Sequence, residues 1–258
     1  MNRHELVIWP VYNPRLFLLF DEAYMAEHIS KQFDLELETV RTRVLQMGGL
    51  VEQQIRAAVD ALMSGDIDVL QKVVDQDAAV NAMEVSIDDE CTHIIARRQP
   101  AAGDLRMIMT VIKTITDLER IGDEAQKIAR MGKTIFQTER YQVPRFREIR
   151  KMAEVALAMV RRALDAFARL DPNAAQELSV EDRRLDDDFN AELRQLITFM
   201  MEDPRTISMS IDTLFMAKAI ERIGDHATNI SEYVVYLVKG TDVRHLSPEA
   251  LREQTNGQ

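Results

Sequence analysis

Apolar residues recur at three- and four-residue intervals through almost the whole chain, the period of helices with one buried face. No stretch shows the strict alternation of a half-buried strand. Helices are separated by Gly and Pro. Gly65-Asp66 ends one helix and caps the next, and Asp171-Pro172 stands at the matching place further along. Gln99-Pro100 and Asp203-Pro204 form a second pair of breaks, Pro144 opens the later series and Gly240 closes it. The pattern predicts helices over 36–64, 67–98, 102–132, 144–170, 172–201 and 204–239. Connections this short force neighbours antiparallel. The expected fold is therefore all-α, a tandem repeat of two three-helix bundles.

The repeat is visible in the residues themselves. Glu-Arg-Ile-Gly-Asp occurs at Glu119–Asp123 and again at Glu221–Asp225, an offset of 102, with Ala125/Ala227 and Ile128/Ile230 in step. An earlier stretch matches at offset 105: Asp60-Ala61 with Asp165-Ala166, Asp66 with Asp171, Gln71 with Gln176 and Asp77 with Asp182. A period of this length is a whole supersecondary unit. The expected organisation is an N-terminal extension over 1–35, bundles over 36–135 and 136–240, and a polar, frayed tail over 241–258.

Residues 7–20 are apolar but interrupted by Pro10, Pro14 and Arg15, and Asp21-Glu22-Ala23-Tyr24 offers no signal-peptidase site. Residues 1–24 are expected to be a poorly structured extension, with Met25 as the initiator; a short packing arm is the other reading. The basic run from Arg140 to Lys151 reads as a solvated helix start or as a dock for an acidic partner.

Charge narrows the function. A net charge of −11 argues against a nucleic-acid footprint, which needs a basic face, and leaves room for cations. The single cysteine, Cys91, gives no disulfide framework and fits a reducing compartment. No apolar run approaches the ~20 residues of a membrane span.

The chemistry concentrates on the third helix of each copy. Ile108, Val111, Ile112, Ile115, Leu118, Gly122, Ala125 and Ala129 form one apolar stripe, and Lys113, Asp117, Arg120, Glu124 and Lys127 fall opposite, where solvent is expected. Glu119 and Asp123 lie at the margin one turn apart, as do Glu221 and Asp225 in the second copy. Like charges at i, i+4 repel, desolvation at a core edge adds to the cost, and a mid-helix glycine inside each pair (Gly122, Gly224) costs about 0.5–1 kcal/mol more against Ala. Three penalties repeated in register imply a compensating gain.

A bound cation is one source of that gain. On the second helices, Asp182 and Asp186 form a further i, i+4 pair, matched in copy one by Asp77 and Asn81, with Glu84 and Asp88 continuing the edge. An all-oxygen site suits Mg, Ca, Mn or Fe. The other reading has Arg120 or Arg222 bridging these acids at the surface. Glu90 and His93 have di-iron spacing, but only once and off the apolar edge, and His226 falls on the solvent side of its helix. Gly48-Gly49 marks close helix packing.

At these motifs the chain resembles the PhoU family of phosphate-transport accessory proteins. The doubled Glu-Arg-Ile-Gly-Asp resembles that family's repeated acidic motif. Further likeness lies in Met25–Asp34, Met47–Ile55, Ala96–Pro100 and Asp104–Arg106, so the resemblance covers residues 25–240. It implies a cytoplasmic, non-catalytic homodimer with a PhoU-like fold. It also implies multinuclear iron or zinc, or alternatively Mg or Mn, on Glu119, Asp123, Glu221, Asp225, Asp182, Asp186 and Asp77. Asn81 departs from the acidic pattern and weakens the first copy's set. The implied role is negative control of the phosphate-starvation response, linking a phosphate ABC transporter (its ATPase and permease subunits) to a membrane sensor histidine kinase. The alternative from another class is a metal-dependent phosphohydrolase or di-iron oxidase using the same carboxylates.

Overall fold

The described residues include six long α-helices, α1 (Pro14–Ser64), α2 (Ile67–Arg98), α3 (Ala102–Gln137), α4 (Arg147–Arg169), α5 (Ala174–Glu202) and α6 (Ile207–Lys239), with a 3₁₀ turn at Pro204–Thr206 and further helical residues at 250–252 and 254. In this computed structural model the described residues are 14–138, 146–244, 246, 250–252 and 254, with side chains from residue 31 onward. No strand occurs among them. They fall into two compact units, Met1–Thr39 and Val40–Gln258.

The first unit contains the opening turns of α1, with the Thr39 hydroxyl donating to the Leu35 carbonyl at 2.7 Å. Helix therefore starts at Pro14, well before position 36, and residues 14–24 are helical where an unstructured extension was expected. The physical reason is in the sequence: proline's fixed φ suits the first helical position, and no Gly or Pro follows until Gly48. Residues 1–13 lie outside the described set.

In the second unit the punctuation acts as its chemistry requires. Asp66 accepts from the Val69 amide at 3.0 Å, the side-chain cap of α2. Gln99, ahead of Pro100, ends that helix in the left-handed region at φ 48°. Asp171 accepts from the Asn173 amide within the turn, so α5 begins at Ala174, two residues past the expected start. Pro144, Arg140 and Arg145 lie outside the described residues, and α4 starts at Arg147.

Each copy packs three helices around its own core. In the first, α2 lies on α3, while Gln54 of α1 reaches Asp77 of α2 and Leu62 of α1 closes on Gly132 of α3. In the second, α4, α5 and α6 pack mutually. The copies join along two seams, α3 on α6 and α1 on α4. At the second seam Gly48 admits the Leu164 side chain, whose Cδ2 would be 2.5 Å from any Cβ placed there. Its neighbour Gly49 faces nothing within 4 Å, so only one of the pair serves close packing.

The tail corrects an expectation. Instead of fraying, it returns across the second copy: Val243 and Leu251 are buried with Ala175 and Val235. Two apolar side chains in a polar segment are enough to dock it.

Candidate metal centre

The acidic rows of the second copy meet where α5 and α6 come closest. Gly224 sets that distance, since a Cβ there would lie 2.6 Å from Leu185 Cδ2 and 3.5 Å from Asp182 Oδ1. The missing side chain brings Asp182 and Asp186 of α5 against Glu221 and Asp225 of α6. Glu221 is buried, Asp182 and Asp186 are half-buried, and Asp225 is exposed. Burial pushes the Asp182 carboxyl up to about 6, reinforced by the charges of Asp225, Asp186 and Glu221. Asp186 and Asp225 are raised too, first by burial and then by Glu221. Lys218 Nζ offsets part of this, pairing with Glu221 Oε1 at 2.5 Å. The other oxygen, Glu221 Oε2, is buried with no hydrogen-bond partner.

The first copy is built differently. Asp77 is buried and accepts from two amides, Gln54 Nε2 at 3.2 Å and Asn81 Nδ2 at 3.4 Å. Gly122 admits this group, because a Cβ there would lie 3.2 Å from Gln54 Oε1 and 3.4 Å from Asp77 Oδ1. Glu119 is half-buried and Asp123 exposed. Burial raises the Glu119 carboxyl first, then Asp123, Glu84 and Asp77; for Asp123 burial leads and Asp77 follows. Neutral amides therefore do here part of what charge does in the second copy.

An oxygen-only donor set with an orphaned buried carboxylate oxygen fits a hard or borderline divalent cation in chemistry. Among the described residues no three His, Cys, Asp or Glu side chains converge on one point, so no coordination geometry is assigned. In the second copy Arg222 does not bridge Glu221 and Asp225 but turns away to Glu124, whereas in the first copy the Arg120 charge is close enough to Glu119 and Asp123 to offset part of the rise in both.

The sequence reading missed a polar seam between the copies. Asp117, Glu124 and His226, expected in solvent, are all buried. His226 Nδ1 sits 2.7 Å from Asp117 Oδ1, which also accepts from Asn229 at 3.3 Å. Arg222 Nη1 pairs with Glu124 Oε1 at 2.6 Å, and Lys127 reaches its other oxygen at 3.3 Å. The cause is that α3 has two buried faces, one on α2 and one on α6. The second is written at helical spacing as Thr110, Thr114, Asp117, Ile121, Glu124 and Ile128, every one of them buried. A search for two stripes rather than one would have found it.

Two tandem three-helix bundles, each carrying an acidic E-x-x-x-D pair beside a glycine at a helix crossing, define a class of repeated helical proteins rather than an isolated fold. The PhoU domain matches residues 44–131 and again 149–234, and the chain belongs to the PhoU family. It is 47% identical to the phosphate-specific transport system accessory protein PhoU homolog of Pseudomonas putida over 240 residues, 93% of each chain. To the phosphate-specific transport system accessory protein PhoU of Escherichia coli K12 it is 45% identical, over 90% of this chain and 95% of that one. The crystal structure of PhoU from Pseudomonas aeruginosa superposes with a TM-score of 0.77 at 46% identity, over 81% of this chain and all of the other. That of the phosphate transport system regulatory protein PhoU from Streptococcus pneumoniae gives 0.75 at 28% identity, over 82% and 99%.

Proposed function

We propose that this chain is a non-catalytic accessory protein of phosphate transport that holds the phosphate-starvation response off when phosphate is plentiful. The observation that carries the reading is near-full-length similarity, 93% of both chains, to a relative named for that system. Among the described residues no helix is long and apolar enough to cross a membrane. The reading has the protein act from the cytoplasm, as a homodimer, by docking to the ATPase or permease subunits of a phosphate ABC transporter and to a membrane sensor histidine kinase. The relatives' names describe an accessory protein and give no support to the phosphohydrolase or oxidase alternative.

In this reading Asp182, Asp186, Glu221 and Asp225 would hold iron, zinc, Mg or Mn, with Glu119, Asp123 and Asp77 forming the first copy's weaker counterpart. A bound cation would supply positive charge among carboxylates whose hold on protons is raised by burial and by mutual repulsion. The protein's own contribution is placement: Gly224 and Gly122 let the rows approach, and Lys218 balances one charge.

Deleting the gene and following phosphate uptake and secreted phosphatase in phosphate-rich medium tests the proposal. Derepressed phosphatase is expected. Unchanged expression overturns the regulatory role, and phosphoester turnover lost in Asp225→Asn overturns the non-catalytic one.

A further inference from the structure

A cleft of about 220 Å³ opens on the α1–α4 seam, away from both acidic rows. Its floor is Ile55, Val59, Ala153 and Leu157, and its rim carries Arg56, Arg150 and Arg161. Three guanidiniums around one apolar floor stand out in a chain of net charge −11.

Two of the three are the same residue of the repeat. The offset of 105 that relates Asp60 to Asp165 also relates Arg56 to Arg161, so the seam brings repeat-equivalent arginines face to face. They converge on a single atom: Arg56 Nη2 donates to Glu52 Oε1 at 2.8 Å and Arg161 Nη2 donates to the same oxygen at 2.5 Å. The repeat-equivalent of Glu52 is Leu157, so this carboxylate is not part of the symmetric design. Each guanidinium spends one terminal nitrogen on that oxygen, a charge-assisted contact of the kind by which arginines hold carboxylates and phosphates. Glu52 thus already displays, from within the chain, what the pair is shaped to hold. Arg150 stands on the same rim, its Nε on Glu154 at 2.9 Å, and among the described residues its terminal nitrogens have no partner.

We propose that this cleft binds a phosphoryl dianion between Arg56 and Arg161, and that Glu52 is the internal competitor filling the pair when no ligand is present. A dianion suits the site better than a second carboxylate, because it offers three oxygens to three guanidiniums and carries twice the charge. The lining arginines are balanced by Glu52, Asp60 and Glu154, so the ligand must displace Glu52 instead of entering a bare positive field. This competition, at a half-exposed rim, sets the affinity on the order of millimolar. The shared chemistry has two sources. Free phosphate would use the forks alone, whereas a phosphomonoester would also lay its body on Ile55, Val59, Ala153 and Leu157. The inference stands apart from the metal reading and from the regulatory role.

The test is calorimetric titration of the full chain at constant ionic strength with inorganic phosphate and, separately, phenyl phosphate. Both are expected to bind. Arg56→Gln and Arg161→Gln should each weaken binding about tenfold, the loss of a charge-assisted fork, while Glu52→Gln should strengthen it by a similar factor. The opposite sign at Glu52 separates a site from general charge loss, and unchanged helicity by circular dichroism shows each variant folded. If Arg161→Gln does not fold, Arg161→Lys keeps the charge, removes the fork and is expected to weaken binding likewise. Phenyl phosphate binding tighter than phosphate assigns an ester; equal affinity assigns free phosphate. No binding of either probe, binding indifferent to Arg56 and Arg161, or weaker binding in Glu52→Gln overturns the proposal.

Discussion

Asp117 of α3 and His226 of α6 meet at 2.7 Å across the seam between the two copies, both buried. They are 109 residues apart in the chain, and Asn229 adds a second donor to the same Asp117 oxygen. Four residues' distance along the same helix, Arg222 reaches back to Glu124. The seam is thus polar and directional, and it fixes the rotation of one bundle against the other more sharply than apolar packing alone. It also lies directly beside the acidic residues, since His226 follows Asp225 and Glu124 follows Asp123.

Removing one partner of such a pair leaves the other buried without its bond. Asp117→Ala is expected to lower unfolding free energy by about 2–4 kcal/mol. The double variant with His226→Ala should recover part of that loss, with a coupling of about 1–3 kcal/mol. Urea denaturation of the four-member cycle measures it; strictly additive losses would show that the contact contributes nothing.

Adjacent glycines should respond with opposite signs. Gly48→Ala forces a Cβ into Leu164, whose three outer carbons lie within 3.2 Å of it, so an overpacking loss of about 1–3 kcal/mol is expected. Gly49→Ala meets open space within a helix and should gain about 0.5–1 kcal/mol from backbone entropy. Thermal melts of both variants decide it. Equal shifts would contradict the close approach of α1 to α4.

The helical period and the doubled Glu-Arg-Ile-Gly-Asp were sufficient for the architecture, because both are properties of one strand of sequence. The i, i+4 spacing likewise placed Asp182 with Asp186 and Glu221 with Asp225 on common faces. Which surface each face meets depends on tertiary packing, which local spacing does not encode. The apolar period marks one stripe on α3, whereas Asp117 and Glu124 belong to a second, mostly polar stripe that is buried as well. The tail was judged by its polar average, and Val243 and Leu251 were lost in it. The convergence of Arg56 and Arg161 on Glu52 required α1 and α4 to be packed first, since no local pattern brings residues 109 apart together.

The docked tail has its own consequence. Leu251 is almost wholly buried, so Leu251→Ala should cost about 2–3 kcal/mol if the strap is part of the fold's cooperative unit. Cleavage after Gly240 should have a similar or larger effect. A melting temperature unmoved by either change would show that the strap contributes no net stability.

Stability should fall as pH rises from 4 to 8 in metal-free protein. Asp182 is raised to about 6 and Glu232 to about 7, both mainly by burial, and Asp186 and Asp225 are raised as well. A carboxyl with a raised folded value binds its proton more tightly in the native state than in the unfolded chain. Between about 4 and 7 the native state therefore holds more protons, and the slope of stability with pH is negative. Asp242, held down to about 2 by its hydrogen bonds to Arg244, works the other way but only at more acid pH. Denaturation midpoints at pH 5 and pH 8 test the sign, with the higher expected at pH 5.

Metal should remove that penalty, and more so in the second copy. Four carboxylates gather there, whereas the first copy offers Asp77, Glu119 and Asp123, and Asp77 is already held by the amides of Gln54 and Asn81, whose own oxygens are buried without partners. Charge count tunes affinity in oxygen-ligated sites, so divalent cations should fill the second copy first. Whatever binds the folded state alone raises its melting temperature with occupancy, and a chelator should lower it. The variants separate charge relief from metal binding. Asp225→Asn removes a repelling charge, so the metal-free variant should melt slightly above the metal-free parent, yet it should lose most of the gain on adding Mn²⁺ or Zn²⁺ at neutral pH. Asp123→Asn, in the first copy where amides already hold Asp77, should keep most of that gain. Scanning fluorimetry with and without metal reads all four states. Equal losses in the two variants would abolish the ranking of the copies, and no metal-dependent shift in the parent would remove the cation from this fold altogether.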